Sequence, residues 1–185
     1  MAKRLVAADA SPLIGLAAAG AFSLLRDLFG RVTVTEAVRD EVQAGNDRPG
    51  ARELAAAIRD GWIEVVPNPG GLEKLPELAP GEASTLLLAQ EHDGECLVLM
   101  DEKLGRARAR ALQLPVTGLA GVLLEARRSG LVDDLRPLFE RLAQRDFPPE
   151  IVRTILEQEA ALQRVLGRSA HLGGRPPSRD DLHKR

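Results

Sequence analysis

The sequence predicts an α/β fold in which helices cover both faces of a mainly parallel β-sheet. The main observation is that five short apolar segments alternate with helix-like segments along the chain, as they do in parallel sheets. Hydrophobic residues make up 44% of the 185 residues, which is enough for one sizeable core. Aromatic residues account for only 3% and Tyr is absent, so this core must be built from Leu, Val and Ala.

The first half of the chain contains three of the predicted strands. A buried strand at 5–8 is followed by Ser11, which is predicted to cap a helix whose first position is Pro12. Gly20 divides the helical stretch that follows into two helices. The predicted elements are helices 13–19 and 21–29, strand 32–34, helices 36–44 and 51–59, and strand 62–66 as a candidate edge strand.

The second half opens with a loop at 67–79 that is rich in Pro and Gly. From Gly167 onwards, the Gly, Pro, Ser and His content indicates a flexible segment, and five Lys/Arg against two Asp make it basic. We therefore expect one domain over 1–166 and a flexible basic tail over 167–185. The predicted elements after the loop are helix 82–91, strand 96–100, helix 104–112, strand 116–117 and helices 119–128, 134–143 and 149–166.

Composition excludes several classes of protein. The scarcity of aromatic residues argues against a base-stacking nucleic-acid module, and a net charge of −2 gives no overall nucleic-acid footprint. Cys96 is the only cysteine, so no intramolecular disulfide can form and a reducing compartment is expected. No apolar stretch approaches the roughly 18 residues of a membrane span, so we expect a soluble, cytoplasmic protein. Neither glycine-rich phosphate-binding motif is present, so no nucleotide cofactor is expected.

Two acids directly follow predicted strands. Asp9 comes after the strand at 5–8, and Asp101 comes after the strand at 96–100. The carboxyl ends of parallel strands share one edge of a sheet, where open α/β folds place their chemistry. An Asp at such a position can instead cap the next helix. Ser11 is the better-placed cap beside Asp9, whereas a capping role for Asp101 stays open.

Helical phase adds two further acids. In helix 36–44, Glu41 lies on the apolar stripe and is predicted to point towards the interior of the domain. Glu36 stands in the first turn, where an acid complements the helix dipole. Glu82 is predicted to lie on the inward side of its own helix. Three roles stay open for it: complementing the helix dipole, pairing with a buried Arg, and binding a metal. The apolar stripe beside Glu41 consists of Ala37, Val38 and Val42.

Four clustered carboxylates cannot all ionise without a cation, because like charges raise each other's pKa. Mg²⁺ and Mn²⁺ prefer oxygen ligands and would resolve this repulsion, whereas no His or Cys spacing offers a zinc site. Such ions activate water and stabilise the leaving oxygen of a phosphodiester. Lys103 and Arg106 closely follow Asp101 and are candidate contacts to RNA phosphates. A solvated basic helix face is the alternative for this segment, especially for Arg110.

The same residues belong to a set of motifs that occur in a fixed order. In this order and spacing the motifs resemble the PIN-domain nucleases, most closely a prokaryotic toxin-like subgroup, over roughly residues 4 to 145. The motifs are Asp9-Ala10-Ser11-Pro12-Leu13-Ile14, Val34 to Val42, Pro80-Gly81-Glu82-Ala83, Leu99 to Arg106, and Val116-Thr117-Gly118 with Gly121-Val122-Leu123.

The resemblance implies a Rossmann-like, three-layer α/β/α PIN domain with about five short strands, acting as a Mg²⁺- or Mn²⁺-dependent endoribonuclease. Many relatives resemble toxins of type II toxin–antitoxin pairs, which implies an RNA substrate, a small antitoxin partner and a homodimer. Catalytic and metal-binding roles are implied for Asp9, Glu41, Glu82 and Asp101. Supporting roles near the pocket are implied for Ser11, Glu102 and Thr117.

Some departures and alternatives stay open. Thr35 stands where family members often have Pro, and Glu36 then competes for the role of Glu41, although helical phase favours Glu41. The tail over 167–185 lies outside the pattern and is an artificial addition, a disordered contact segment or part of an antitoxin interface. The main alternative function is a non-catalytic PIN-like module that binds RNA or a protein. A phosphatase-like Mg²⁺ hydrolase is disfavoured, because Ser11 stands where such an enzyme needs a second Asp.

Overall fold

The computed structural model describes residues 4–44 and 49–144, together with Arg153 and Glu157. Within these ranges the chain forms a five-stranded sheet in which every pairing is parallel, in the order β3-β2-β1-β4-β5. The predicted α/β fold is therefore confirmed, and β3 lies at the edge suggested by its sequence. The strands are β1 (Leu5–Ala8), β2 (Val32–Thr35), β3 (Ile63–Val66), β4 (Cys96–Leu99) and β5 (Val116–Thr117).

Helices connect the strands and flank the sheet on both faces. A short 3₁₀ helix, Leu72–Lys74, interrupts the loop predicted at 67–79. Within the described ranges, no helix is long and apolar enough to cross a membrane. The α-helices of these ranges are α1 (Ala10–Ala18), α2 (Leu24–Phe29), α3 (Glu36–Ala44), α4 (Ala51–Arg59), α5 (Pro80–Gln90), α6 (Lys103–Ala111), α7 (Leu119–Arg128) and α8 (Arg136–Ala143).

The order of the strands places a switch point between β1 and β4. The chain forms β1, β2 and β3 outward in one direction, then returns to β4 on the other side of β1 and continues to β5. β1 and β4 pair in register from Leu5 opposite Cys96 to Ala8 opposite Leu99. The connections that follow β1 and β4 lead to opposite sides, which opens a crevice at the carboxyl ends of these two strands.

Alternate residues of the central strands face two separate hydrophobic layers. Ala8 and Leu99 belong to a layer that also contains side chains of α1 to α4, α7 and α8. Val98 and Met100 belong to the other layer, together with side chains of α5 and α6. Because both faces are covered, β1 and β4 read as apolar runs rather than as alternating apolar and polar residues. α5 contacts β1, β2 and β4, so it crosses the centre of the sheet beside the crevice.

In the described ranges, five helices start at other residues than predicted; α6 and α8 differ by only one and two residues, and the other three are described here. α1 begins at Ala10, so Asp9 occupies the N-cap position and Ser11 lies inside the first turn. The helix predicted from residue 21 begins only at Leu24. α5 begins at Pro80 rather than Glu82, because the fixed φ of Pro suits the first helical position.

The C-terminal predictions fall mostly on residues that the structure does not describe. Helix 149–166 and the tail over 167–185 lie outside the described ranges, apart from Arg153 and Glu157, which are helical and form an exposed ion pair of 3.8 Å. The boundary at residue 166 therefore stays a prediction.

Candidate active site

Asp9 lies in the crevice, directly after β1. Its backbone N–H donates to the carbonyl oxygen of Leu99 over 2.9 Å, which continues the β1–β4 pairing into the crevice. The side chain is only 2% exposed, and its carboxylate forms no well-directed capping hydrogen bond although Asp9 is the N-cap residue of α1. Oδ1 is buried without a hydrogen-bond partner. The prediction that Ser11 caps α1 was wrong, because Asp9 is the N-cap residue; its carboxylate faces the Ala10 and Ser11 N–H groups but leaves Oδ1 unused.

Asp101 joins the end of β4 to α7. Its Oδ1 accepts a hydrogen bond of 2.9 Å from the backbone N–H of Leu119, the first residue of α7, and its Oδ2 is buried without a partner. Glu102, not Asp101, is the N-cap residue of α6. The capping role left open for Asp101 therefore exists, but it serves a helix that is distant in sequence. Burial raises the pKa of Asp101, while the Leu119 N–H group and the charge of Arg106 lower it.

Glu82 lies in the first turn of α5 and divides its two oxygens in the same way. Oε2 accepts a hydrogen bond of 3.0 Å from the backbone N–H of Ala79, so this oxygen serves the start of the helix. Oε1 is buried without a partner. It lies close to Gly105 of α6, where a Cβ atom would stand 3.0 Å from it. Dipole complementarity therefore accounts for one of the two oxygens only.

Glu41 is exposed, so the prediction that it points into the interior was wrong. Glu41 lies on the predicted side of α3, but at this point that side borders the open crevice rather than the core. A Cβ atom on Gly81 would stand 2.7 Å from Glu41 Oε2 and 3.3 Å from Asp9 Oδ1. Because Gly81 has no side chain, the carboxylates of Glu41 and Asp9 can lie as neighbours on either side of it.

Neighbouring carboxylates raise the pKa of Asp9 and of Glu41. Burial raises the pKa of Asp9 to about 7, against the lowering effect of the Ala10 and Ser11 N–H groups, and the charges of Glu41 and Glu82 raise it further. Although Glu41 as a whole is exposed, partial burial of its carboxylate raises its pKa, and the charge of Glu82 raises it further. These acids therefore form one electrostatic cluster, in which a cation would favour the ionised forms.

The donor set of the crevice fits a hydrated divalent ion. Buried carboxylate oxygens without partners are costly unless they bind a proton or a metal. As the side chains stand, no three His, Cys, Asp or Glu residues of the described ranges converge closely enough to hold an ion directly. Mg²⁺ usually keeps several waters and binds one or two carboxylates, so water molecules can complete its coordination. In the described part of the chain, the buried carboxylate oxygens that have no partner are Asp9 Oδ1, Glu82 Oε1 and Asp101 Oδ2.

Comparison with known families identifies the fold. A family model described as a PIN domain matches residues 5–160. The chain belongs to the PIN-domain family. PIN domains are generally nucleases and typically use divalent metals, which supports nuclease-type activity in general. A search of curated proteins found no significant match.

The basic residues of this PIN domain differ in their surroundings. Arg106 turns towards the backbone of the site, where its Nη1 donates to the carbonyl oxygen of Met100 over 3.1 Å. Lys103 and Arg110 lie on the same helix, α6, and are exposed. Of the two residues predicted to contact RNA, Lys103 is therefore open to solvent, whereas Arg106 is engaged with the turn that carries Asp101.

Thr117 reaches the site through its backbone rather than its side chain. Its carbonyl oxygen accepts a hydrogen bond of 2.8 Å from Met100 N–H. Its hydroxyl instead lies against Gly121 of α7, and the side chain lines a separate groove with Leu97 and Val122. The prediction that Thr117 lines the acidic pocket was therefore wrong for its side chain, because the pleat of β5 directs it to another face. Glu102 and Ser11 are exposed, and their supporting roles stay predictions.

Three glycines of the PIN domain allow the acids to approach each other, and sequence analysis missed their role. Gly81 separates Glu41 from Asp9, and Gly105 lies beside Glu82. A Cβ atom on Gly118 would collide with Asp101 Oδ1 and stand 3.0 Å from Arg106 Nη1. All three glycines lie within the motifs, in Pro80-Gly81-Glu82, in Leu99 to Arg106 and in Thr117-Gly118, which was the available signal.

Proposed function

We propose that this PIN domain is a divalent-metal-dependent endoribonuclease that hydrolyses RNA phosphodiesters in the pocket formed by Asp9, Glu41, Glu82 and Asp101. The single observation that supports this proposal most is that three of these four acids each bury a carboxylate oxygen that has no partner among the residues the structure describes. The three acids come from the ends of two adjacent strands and from the start of a helix that crosses the sheet. Burial of all three in one crevice calls for a ligand that supplies positive charge.

Mg²⁺ or Mn²⁺ is the proposed ion, held by Asp9, Glu82 and Asp101 directly or through water. When bound, such an ion activates a water molecule for attack on a phosphodiester and stabilises the leaving oxygen. The chain itself holds Asp101 through Leu119 N–H and Glu82 through Ala79 N–H, so both carboxylates are oriented before an ion arrives. Glu41 stands at the solvent side of the pocket, where it can reach an ion or a water molecule that bridges to the substrate.

RNA is the proposed substrate, and the exposed Lys103 beside Asp101 supplies a contact for a phosphate group. By resemblance to the toxin-like subgroup, we further propose a cytoplasmic toxin of a type II toxin–antitoxin pair, with a small antitoxin partner and a homodimeric state. Expression of the chain alone should then arrest growth, and co-expression of the neighbouring upstream gene should relieve the arrest. Growth that is unaffected by expression of an active nuclease would contradict the toxin role and leave the nuclease proposal standing.

The decisive experiment measures cleavage of a labelled structured RNA by the purified chain with Mg²⁺, with Mn²⁺ and with a chelator. Glu82→Gln should abolish cleavage, because it removes the charge of a buried carboxylate oxygen. Glu91→Gln is the matched control, since Glu91 directly follows α5 and is exposed. Cleavage that persists in the chelator, or that is equal in the Glu82→Gln variant and the wild type, would overturn the proposal. Binding of RNA without cleavage would indicate the non-catalytic module instead.

A further inference from the structure

A buried pair of hydroxyl groups links the helices that carry Glu41 and Glu82. Thr35, the last residue of β2, and Ser84, in the second turn of α5, are both fully buried. Their oxygens lie 2.7 Å apart, although the residues are 49 positions apart in the chain. Buried polar groups at such positions replace apolar packing, so their contribution lies in the hydrogen bond they form.

The surrounding contacts fix the direction of this hydrogen bond. Ser84 Oγ donates its only proton to the carbonyl oxygen of Gly81 over 2.9 Å. Both hydrogen bonds form together only when the Thr35 hydroxyl donates to Ser84 Oγ. Thr35 Oγ1 in turn accepts from the backbone N–H of Val38, in the first turn of α3, over 3.4 Å. The result is a relay of donors that runs from Val38 through Thr35 and Ser84 to Gly81.

Both ends of this relay meet the acidic pocket at Gly81. Through Ser84, the relay holds the carbonyl oxygen of Gly81. Through Val38, it holds the start of α3, and one turn later Glu41 places Oε2 beside Gly81. The side chain of Val38 also contacts this point, since its Cγ2 would lie 3.4 Å from a Cβ atom on Gly81. Because α5 also packs on β1, which directly precedes Asp9, a shift of α3 relative to α5 would change the separation of Glu41 from Asp9.

We infer that Thr35 and Ser84 are positioning residues, whose mutual hydrogen bond fixes α3 against α5 and thereby holds Glu41 beside Asp9 in the metal pocket. This inference rests on the proposed function, because it assigns the pair a role in divalent-ion binding. The hydrogen bonds of the pair lead to Gly81 and to Val38 of α3, so the pair acts through these two elements. Groups that orient metal ligands from outside the coordination sphere commonly change ion affinity when they are removed.

The test compares Mn²⁺ affinity, measured by calorimetric titration, in Thr35→Val and Ser84→Ala with that of the wild type. Both variants should bind Mn²⁺ roughly tenfold more weakly, as is typical when such an orienting hydrogen bond is lost. Thr35→Ser keeps the hydroxyl and should restore wild-type affinity. Thr33→Val is the matched control on the same strand, and Thr85→Val is the control on α5. Thr85 bonds to the same carbonyl oxygen of Gly81, over 2.8 Å, but from within its own helix.

A second arm tests whether the pair acts through Glu41. In a Glu41→Gln background, Thr35→Val should cause no further loss of Mn²⁺ affinity, because the carboxylate that Thr35 positions has already been replaced by an amide. In RNA cleavage, kcat of Thr35→Val should fall while KM stays unchanged. Thermal unfolding identifies variants that fail to fold, and Ser84→Ala, the smaller change, then carries the comparison.

The outcomes separate this inference from the proposed function. If the wild type binds Mn²⁺ and the Thr35→Val and Ser84→Ala variants bind it equally well, only the positioning role is overturned. An additive loss in the Glu41→Gln background overturns the route through Glu41. If the wild type binds no Mn²⁺, the proposed metal site itself fails. If the wild type binds Mn²⁺ but leaves RNA intact, the nuclease proposal fails and the affinity comparison still decides the role of the pair.

Discussion

Asp101 Oδ1 accepts a hydrogen bond of 2.9 Å from the backbone N–H of Leu119, while Oδ2 of the same carboxylate is buried without a partner. The first oxygen attaches the end of β4 to the start of α7, and the second is free to bind an ion. Glu82 divides its two oxygens in the same manner, between Ala79 N–H and the pocket. In both acids a structural hydrogen bond fixes the orientation of the oxygen that faces the crevice.

Because the two oxygens of Asp101 have different roles, Asp101→Asn and Asp101→Ala should differ in their effects on RNA cleavage and on stability. Asp101→Asn keeps an oxygen for Leu119 N–H but replaces the ion-facing Oδ2 with an amide. It should fold normally and lower kcat by more than about 100-fold, a larger loss than removal of an orienting neighbour causes. Asp101→Ala also removes the acceptor for Leu119 and should lower the free energy of unfolding by about 1 kcal/mol more.

RNA cleavage and chemical denaturation measure the two quantities on the same preparations. The prediction fails if Asp101→Asn retains wild-type cleavage, or if Asn and Ala destabilise the domain equally.

Gly118 should tolerate no side chain, because Asp101 and Arg106 occupy the space beside it. A Cβ atom there would collide with Asp101 Oδ1 and would stand 3.1 Å from the carbonyl oxygen of Met100. Gly118→Ala should therefore lower the free energy of unfolding by about 1–3 kcal/mol, as overpacking does, and reduce Mn²⁺ affinity because Asp101 must move. Gly70→Ala is the control, since a Cβ atom at Gly70 meets no atom within 4 Å. Equal stability and Mn²⁺ affinity in the two variants would contradict the prediction.

Much of the fold follows from the sequence, because its signals are local. The bounds predicted for α3, α4 and α7 match the structure, since each helix has a clear apolar stripe and ends near a glycine or a turn. Asp9 and Asp101 were placed at one edge because parallel strands bring their carboxyl ends together. These inferences need only periodicity and the direction of the strands.

The parts that sequence analysis missed depend on contacts between distant residues. Glu41 lies on the predicted side of α3. Whether that side faces the core or an open crevice depends on where α5 lies across the sheet. Thr35 attracted notice only as a departure from the family pattern, although its hydroxyl reaches Ser84 over 2.7 Å. The sequence around Thr35 and the sequence around Ser84 give no signal that these two side chains meet.

Arg106 and Lys103 should contribute to activity by different routes. Arg106 Nη1 bonds to the carbonyl oxygen of Met100, next to Asp101, so Arg106→Lys should lower kcat and the thermal midpoint. Lys103 is exposed, so Lys103→Ala should instead raise KM for RNA and reduce the slope of log affinity against log salt by about 1, as expected for one phosphate contact. The exposed Arg110 on the same helix provides the control. A larger change of salt slope in Arg106→Ala than in Lys103→Ala would reverse these assignments.

The raised pKa of Asp9 makes the stability of the ion-free domain depend on pH. The pKa of Asp9 rises from 3.8 to about 7 on folding, chiefly through burial. Between these two values the folded state binds more protons than the unfolded state, so stability falls as pH increases through this range. The contribution of Asp9 amounts to at most about 4 kcal/mol, since one pKa unit corresponds to about 1.4 kcal/mol. Asp9→Asn should remove this dependence and be more stable than the wild type in chelator at about pH 8.

Mn²⁺ should reverse the fall in stability of the wild type with rising pH, because the ion binds the deprotonated carboxylate of Asp9. The rise in thermal midpoint on adding Mn²⁺ should therefore be larger at about pH 8 than at about pH 5, and absent in Asp9→Asn at both. Asp93→Asn, an exposed acid in the turn before β4, should behave like the wild type in both series. Thermal denaturation with chelator and with Mn²⁺ at the two pH values measures all of these quantities. If the wild type and Asp9→Asn lose stability equally with rising pH, another group is responsible and Asp9 is not the acid that the ion neutralises.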